Sequence, residues 1–416
     1  MENPDLLIVF LGPMPSDEAP ANHAKRICRG LQLNGWKPLM LCAAACRGSS
    51  GGSTSGFEGE WQIGYECVSF PVPRLPFNML YYTHRAAREL EPKLKRYLEG
   101  NTVKAVLFYG SSKLGFSSLF NVCHDAGVPI LTYEVEYPVL HNLPRLLTGA
   151  YWDHRMYLTN LLQRASGIIG ISSFWKQIAD RHGIPSVTIP SYLPVEAKDL
   201  VLQRTKKSGV RNPNRLHIVT LGRWASRECP LVILRAVRKA SLLGVPISYT
   251  AIGASAGRLG YHDSHALRLI RKDPVLRDVV RTTLRVSEAE KAEILESADA
   301  FVILRRQNVE TAALFPTRLP EYLSYQRPLI VSSAGDLGRY LRHKDSAWLV
   351  PPDDNGDLLA EAFYQLHHDR KLAEKIGHRG AEQAMSNFSI ESNGQIMTSF
   401  IESVTSRESA HAMACL

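Results

Sequence analysis

Short apolar runs alternate with longer stretches in which apolar residues recur every three or four positions, and the alternation continues along nearly the whole chain. Strands buried on both faces read as continuous apolar runs, so this pattern predicts parallel sheets covered by helices. In the first half, strands are expected at 6–10, 38–43, 67–71, 105–109, 129–133 and 167–171, with helices at 22–34, 82–99, 115–125 and 154–164. The Gly- and Ser-rich stretch 48–56 is expected to be a mobile loop. In the second half, strands are expected at 216–221, 247–252, 279–283, 300–304, 329–331 and 347–350, separated by helical segments such as 231–241 and 288–296. Residues 197–214 replace apolar positions by Lys, Arg, Gly and Pro and read as a linker. The predicted fold class is α/β: two Rossmann-like, doubly wound domains, 1–196 and 215–389, facing a cleft, followed by a last helix and tail at 390–416.

Composition narrows the choice. A chain of 416 residues exceeds what one core usually fills, and a hydrophobic content of 45% supplies two. The seven Cys lack paired metal-ligand spacing: Cys42 and Cys46 flank three Ala residues, while Cys28, Cys67, Cys123, Cys229 and Cys415 are scattered. They read as reduced structural thiols of a cytoplasmic protein. The first apolar run, 6–10, is too short for a signal or a spanning helix and lacks a basic flank.

A formal charge of +9, from 49 Lys and Arg against 40 Asp and Glu, favours anionic ligands. The basic residues are dispersed and no basic segment interleaves stacking aromatics, so nucleic acid is not the expected partner and phosphorylated small molecules are. The stretch 84–99 carries Arg85, Arg88, Lys93, Lys95 and Arg96. Such a helix is more often a solvated domain face, with peripheral contact at the inner face of a membrane as the other use.

The most informative chemistry lies in 315–332. Pro316 suits the first turn of a helix, whose open amides and positive dipole end would receive phosphate oxygens, with Thr317 adding a hydroxyl and Arg318 a fixed charge. Glu321, one turn beyond Thr317, would place a carboxylate beside a ribose diol. Arg327-Pro328 ends the helix ahead of a short buried strand. An ordinary amphipathic helix with an exposed Glu accounts for the same residues.

This stretch resembles the donor-binding signature of the retaining GT-B glycosyltransferases of family 4, Pro-x-Lys-x-x-Glu-Tyr-Leu-x-x-Gly-Lys-Pro-Val-Ile. Pro316, Arg318, Glu321, Tyr322, Leu323, Arg327, Pro328 and Ile330 fall in register, with Gln326 at the Gly position. The resemblance implies that Glu321 holds the ribose of a nucleoside diphosphate sugar, which is the donor and the only cofactor-like molecule expected, with no metal. A second Glu common in the family is Ala313 here. Gly222-Arg223 resembles the family's Gly-Arg turn, which makes Arg223 a clamp on the donor diphosphate. The family's Lys-Gly that follows is Glu228-Cys229, so the second cation is assigned to Arg227.

Ile252-Gly253 resembles the turn where backbone approaches the donor, and Arg285-Val286 the loop beside the base. Backbone around Leu314, Phe315 and Thr317 is the expected phosphate contact. The stretches 336–338 and 347–354 resemble the family's C-terminal motif, and 390–404 its helix that crosses back to the first domain.

Acceptor chemistry falls to the first half. Gly12, in the loop after the first strand, and His23, in the next helix, match where relatives approach donor phosphates and acceptor. Strand alternation sends Glu134 and Glu136 the same way, so that two carboxylates would share one site, although solvated acids at a strand exit fit equally. Glu136 is expected to orient or deprotonate an acceptor hydroxyl of a glycan, lipid-linked or small molecule, with Glu134 and His141 second. Ser191-Tyr192 stands where relatives have an Asn-Gly turn, and Ser172 or Ser173 reads as a helix cap. The expected activity is retaining sugar transfer. An epimerase of the same fold or a non-catalytic sugar-nucleotide binder are the alternatives; a nicotinamide enzyme lacks its Gly-x-Gly-x-x-Gly.

Overall fold

A computed structural model describes residues 3–16, 18–46, 52–59, 61–72, 78–100, 102–140, 149–193, 214–222, 224, 226–253, 261–283 and 286–414. Of the expected features, His141, Arg223, Arg285 and all but the last residue of the 197–214 linker lie outside the described residues. The chain forms two compact units, Met1–Pro190 with Ile390–Leu416, and Ser191–Ser389.

The first unit is built on one eight-stranded sheet: β1 (Leu6–Phe10), β2 (Pro38–Cys46), β3 (Gly52–Glu58), β4 (Ile63–Pro71), β5 (Ala105–Tyr109), β6 (Ile130–Glu134), β7 (Gly167–Gly170) and β8 (Ser186–Thr188), in the order β3-β4-β2-β1-β5-β6-β7-β8. All neighbours are parallel except β3 and β4. Central β1 is buried along its whole length, which is why its sequence is unbroken Leu, Ile, Val and Phe. Covering helices are α1 (Ala19–Leu33), α2 (Asn78–Glu99), α3 (Lys113–Asp125), α4 (Ala150–Met156) and α5 (Ser173–Arg181). The helix expected at 154–164 begins earlier, as α4, and loosens into a wide π turn at Tyr157–Leu161 before a tight turn at Leu162–Arg164.

One expectation fails outright. Residues 48–51 of the Gly- and Ser-rich stretch lie outside the described residues, and its remainder is not a loop: β3 pairs antiparallel with β4 from Gly52 opposite Ser69 to Glu58 opposite Ile63. Small residues carry no packing signal, but at an exposed sheet edge the ladder itself supplies the order, and Gly56 leaves room for the Tyr65 ring.

The second unit holds a six-stranded parallel sheet: β9 (Leu216–Leu221), β10 (Ile247–Ile252), β11 (Val280–Thr283), β12 (Ala300–Ile303), β13 (Leu329–Ser332) and β14 (Trp348–Val350), in the order β11-β10-β9-β12-β13-β14. Its helices are α6 (Pro230–Leu242), α7 (Tyr261–Lys272), α8 (Pro274–Val279), α9 (Glu288–Glu296), α10 (Val309–Ala313), α11 (Leu319–Ser324), α12 (Leu337–Tyr340), α13 (Asp357–His368) and α14 (Arg370–Phe388). Ile218, Val237, Tyr249, Val302, Ile330 and Phe363 meet in its core. Burial of each such side chain contributes about 1.5–3 kcal/mol.

In both sheets the strand order reverses beside the first strand of the unit, between β1 and β5 and between β9 and β12. Ligands of open α/β sheets bind at the carboxyl ends of strands at such a reversal.

The last helix, α15 (Ile390–Ala414), returns to the first unit and packs on α1. The crossing depends on two glycines: a Cβ on Gly394 would lie 2.4 Å from the carbonyl oxygen of Gly30, whereas one on Gly30 would stand 3.0 Å from Gly394 Cα. Gly394→Val is therefore expected to push the helices apart and cost about 1–3 kcal/mol, with Gly30→Ala costing less. Denaturant unfolding checks the order, and equal stability of Gly394→Val and the parent would refute the close crossing.

Candidate functional site

At the reversal in the second unit, β9 ends in Leu221-Gly222. Gly222 has φ +117°, and an added Cβ would lie 2.3 Å from Nη1 of Arg318, so only glycine lets that side chain pass. Gly253, at the end of β10, lies against the Gly222 backbone. Arg318 threads inward here. Its Nη1 donates to the Leu221 carbonyl, and its Nη2 pairs with Glu228.

Glu228 is the hub of a charge cluster. It also accepts from Arg305 Nη2 at 3.1 Å and lies 3.8 Å from Arg227 Nε, while Arg227 Nη1 reaches Glu310 at 3.2 Å. Three guanidiniums thus face two carboxylates, and among the described residues the buried Nε of each arginine has no acceptor. Burial, reinforced by the neighbouring Arg227 charge, draws Arg305 down to about 10. Arg318 is likewise lowered by burial. A cavity of about 580 Å³ opens beside Arg305, with Arg306, Ser332 and Pro351 also in its wall.

The 315–332 stretch departs from its sequence reading in two respects. Pro316 does not open the helix; the chain makes a turn, Leu319 N donating to Pro316 O, and α11 begins at Leu319 with Pro320 in its first turn. Arg318 cannot serve as a phosphate cation, because the turn aims it beneath Gly222 rather than outward. Leu314 spends its amide on Glu310 O to close α10, and Phe315 packs its ring against Tyr340 and Phe388; among the described residues the Phe315, Thr317 and Arg318 amides donate no backbone hydrogen bond. Ser191 Oγ donates to Thr317 O at 3.1 Å and fixes that turn.

Glu321 stands in the first turn of α11, partly exposed, with Lys291 Nζ 3.9 Å away. Its neighbour Tyr322 stacks on Phe301 at 4.4 Å and accepts from Leu221 N through its hydroxyl, tying α11 to the end of β9. The two positions where the family signature has Gly, Cys229 and Gln326, both hold positive φ, +48° and +54°. The left-handed turns persist without glycine, at a strain of about 1–2 kcal/mol each.

In the first unit, β1 and β5 end in Phe10 and Tyr109, and the Gly12 backbone packs over the Phe10 ring. His23 is buried in α1, its Nδ1 2.9 Å from the Tyr109 hydroxyl and its Nε2 3.5 Å from that of Tyr133, which donates to Ile189 O. Burial, with Arg26 adding to it, pushes His23 down to about 3, so the ring is neutral. Glu136 is exposed and close enough to Tyr109 to raise the phenol's pKa, though burial is the larger cause.

Glu134 and Glu136 do not share a site. β6 ends at Glu134, so alternation stops there; Glu134 turns fully inward and accepts from Tyr157 at 2.5 Å and Ser111 at 2.7 Å. Burial raises it to about 7 against those hydrogen bonds. Neither Arg305 nor Tyr109 was singled out by motif, yet each stands at the carboxyl end of a strand at a reversal, a signal the strand order alone would have supplied.

Residues 203–383 match the family model of Glycosyl transferases group 1. No curated protein matches the chain. Among solved structures, the chain is similar to a glycosyltransferase from Rickettsia africae ESF-5 (14% identity, TM-score 0.64, 97% of this chain and 99% of that one). It is similar also to sucrose-phosphate synthase from Thermosynechococcus elongatus (15%, TM-score 0.66, 97% and 100%) and to HepE from Anabaena in complex with UDP and glucose (14%, TM-score 0.65, 95% and 99%). At these identities the likeness shows the fold, which is GT-B.

Two outcomes follow from the charges. Restoring the family's residue, Glu228→Lys, would set a fourth cation against Arg305 and Arg318 and cost about 3–5 kcal/mol; an unchanged thermal melt would dismiss the cluster as the loop's anchor. Because Glu134 is raised in the folded state, its ionisation opposes folding, so stability is fully present below pH 4.5 and falls by about 3 kcal/mol as pH rises towards 7. Glu134→Gln should flatten that decline, as read by denaturant unfolding at several pH values.

Proposed function

We propose, for a chain whose residues 203–383 match the family model of Glycosyl transferases group 1, that it transfers a sugar from a nucleoside diphosphate to an acceptor hydroxyl with retained anomeric configuration and without a metal. The observation that carries this reading is the arginine cluster at the end of β9: three guanidiniums against two carboxylates, with unmatched N–H groups, at the reversal where ligands of such sheets bind.

In this reading the bond from the anomeric carbon to the diphosphate breaks while a bond to the acceptor oxygen forms on the same face. The growing negative charge on the diphosphate is met by Arg227, by Arg223 as the sequence assigns it, and by the Phe315 and Thr317 amides. Arg305 and Arg318 act through Glu228 instead, holding Arg227 in place. Cations held this way supply the charge that a metal would. Glu321 accepts the ribose diol, and Gly253 with Arg285 borders the base.

On the acceptor side, Glu136 is the exposed carboxylate that takes the hydroxyl proton, near Tyr109, which the neutral His23 contacts in turn, with Gly12 in the loop after β1 as the sequence assigns it. Glu134 is left out of proton transfer because it is fully enclosed. HepE from Anabaena, one of the similar folds, has been solved with UDP-glucose, which makes uridine nucleotides the first donors to try. One observation favours a second reading, a binder without turnover: Ala313 is buried and offers no carboxylate to the transferred sugar. Release of nucleoside diphosphate in the presence of acceptor separates the two.

The direct test is thermal stabilisation by a panel of nucleoside diphosphates, followed by calorimetry on Glu321→Ala. Loss of charged hydrogen bonds to the ribose should weaken binding by about 1.5–3 kcal/mol, with the melt of the unliganded protein unchanged. Equal affinity in the variant and the parent would remove Glu321 from the donor site.

A further inference from the structure

Large apolar side chains exposed on this molecule are not evenly spread. Of the fourteen among the described residues, five lie on three neighbouring helix segments in the first unit: Met79 and Tyr81 at the start of α2, Leu114 at the start of α3, and Trp152 and Met156 on the short α4. Internal contacts hold these helix ends together. Asp153 accepts from Ser112 Oγ at 2.7 Å and from Leu114 N at 2.8 Å, which fastens α4 to the start of α3. Gly149, just before α4, sits against Leu80 so closely that a Cβ there would lie 2.5 Å from its Cδ1. Because Asp153 faces inward, Trp152 and Met156, one helical turn apart, face out together.

The apolar end passes into a basic one. Along the exposed stripe of α2, Tyr81 is followed by His84, Arg88 and Lys95 at helical spacing, Lys95 being paired with Glu91 at 2.8 Å. Arg88 makes no ion pair among the described residues, and Lys113 stands at the start of α3 beside Leu114. Trp and Tyr exposed next to Lys and Arg are what a lipid interface selects: rings at the headgroup level, cations against acidic lipid. An exposed apolar patch of this kind marks an interaction surface, whereas isolated exposed apolar residues do not.

We infer that this face of the first unit, Met79, Tyr81, Leu114, Trp152 and Met156 with Arg88 and Lys113, docks on the surface of a membrane bearing anionic lipid. The docking lies in plane, since among the described residues no helix is long and apolar enough to cross a membrane. It does not depend on the transferase reading, because none of these residues belongs to the donor or acceptor groups assigned above.

The test is flotation of the full chain with vesicles of phosphatidylglycerol and phosphatidylcholine in equal parts, against vesicles of phosphatidylcholine alone. Binding is expected to the anionic vesicles and to fall as salt is raised. The double substitution Tyr81→Ser with Trp152→Ser should weaken it about tenfold, and Arg88→Glu with Lys113→Glu should do so while leaving the apolar residues intact. Stabilisation by nucleoside diphosphate should be the same in all variants, which separates a failure of docking from a failure of the catalytic reading. The inference is overturned if the parent ignores anionic vesicles at low salt or if the apolar variant floats as the parent does. It is overturned also if sedimentation without vesicles shows that the substitutions dissolve a dimer, which would make a second copy the occupant.

Discussion

The second unit of this protein depends on one buried ion pair, Arg318 with Glu228. Glycine at 222, with φ +117°, leaves room for the guanidinium that reaches the Leu221 carbonyl and the Glu228 carboxylate. Withdrawing two charges from water costs several kcal/mol per ion before their attraction is counted, so such a pair persists only where further hydrogen bonds complete it. Here Arg305 and Arg227 complete it, and in doing so they fix the loop between β9 and α6 against the ends of β12 and α11. The same pair explains why the family's lysine position can carry a carboxylate. Arginines on either side already supply the positive charge, and a carboxylate among them keeps their mutual repulsion down.

What was legible in the sequence follows from what a residue's identity constrains. Buried parallel strands were legible because both faces must be apolar: β1, β5, β9 and β10 run as the apolar segments do. β3 was not, since an edge strand of Gly, Ser and Thr owes its order to backbone pairing that composition does not record. Turn geometry proved more durable than turn residues. Cys229 and Gln326 hold the left-handed conformations at positions where the family signature carries glycine, so the motif's backbone survives a change in its most characteristic letter. Side-chain direction was the least legible. Arg318 sits in register with the signature's lysine yet points into the protein, because α11 starts three residues later than Pro316 suggested and the intervening turn re-aims it.

The two acids after β6 carry the same lesson into chemistry. Period-two alternation holds only while the backbone remains a strand, and β6 stops at Glu134. One carboxyl is therefore enclosed by Ser111 and Tyr157 and raised to about 7, while the other stands in solvent near Tyr109. An enclosed acid with two hydroxyl donors organises the strand end; an exposed one can exchange a proton with a ligand. His23 falls on the structural side of that division, since its depressed basicity leaves it a neutral hydrogen-bonding bridge between two tyrosines.

The same division sorts the positive charge of the chain. Arg305 and Arg318 are held internally, paired with Glu228 at a strand end. Arg88 lies on a solvated helix stripe, where a charge costs little to hold and acts over about a Debye length, roughly 8 Å in physiological salt, whereas Lys95 further along is paired with Glu91. A surplus of basic residues spread through the sequence thus resolves into two physical uses. Buried guanidiniums shape a loop at close range, and exposed ones adjoin a cluster of apolar side chains, where attraction to an anionic surface and burial of those side chains act together.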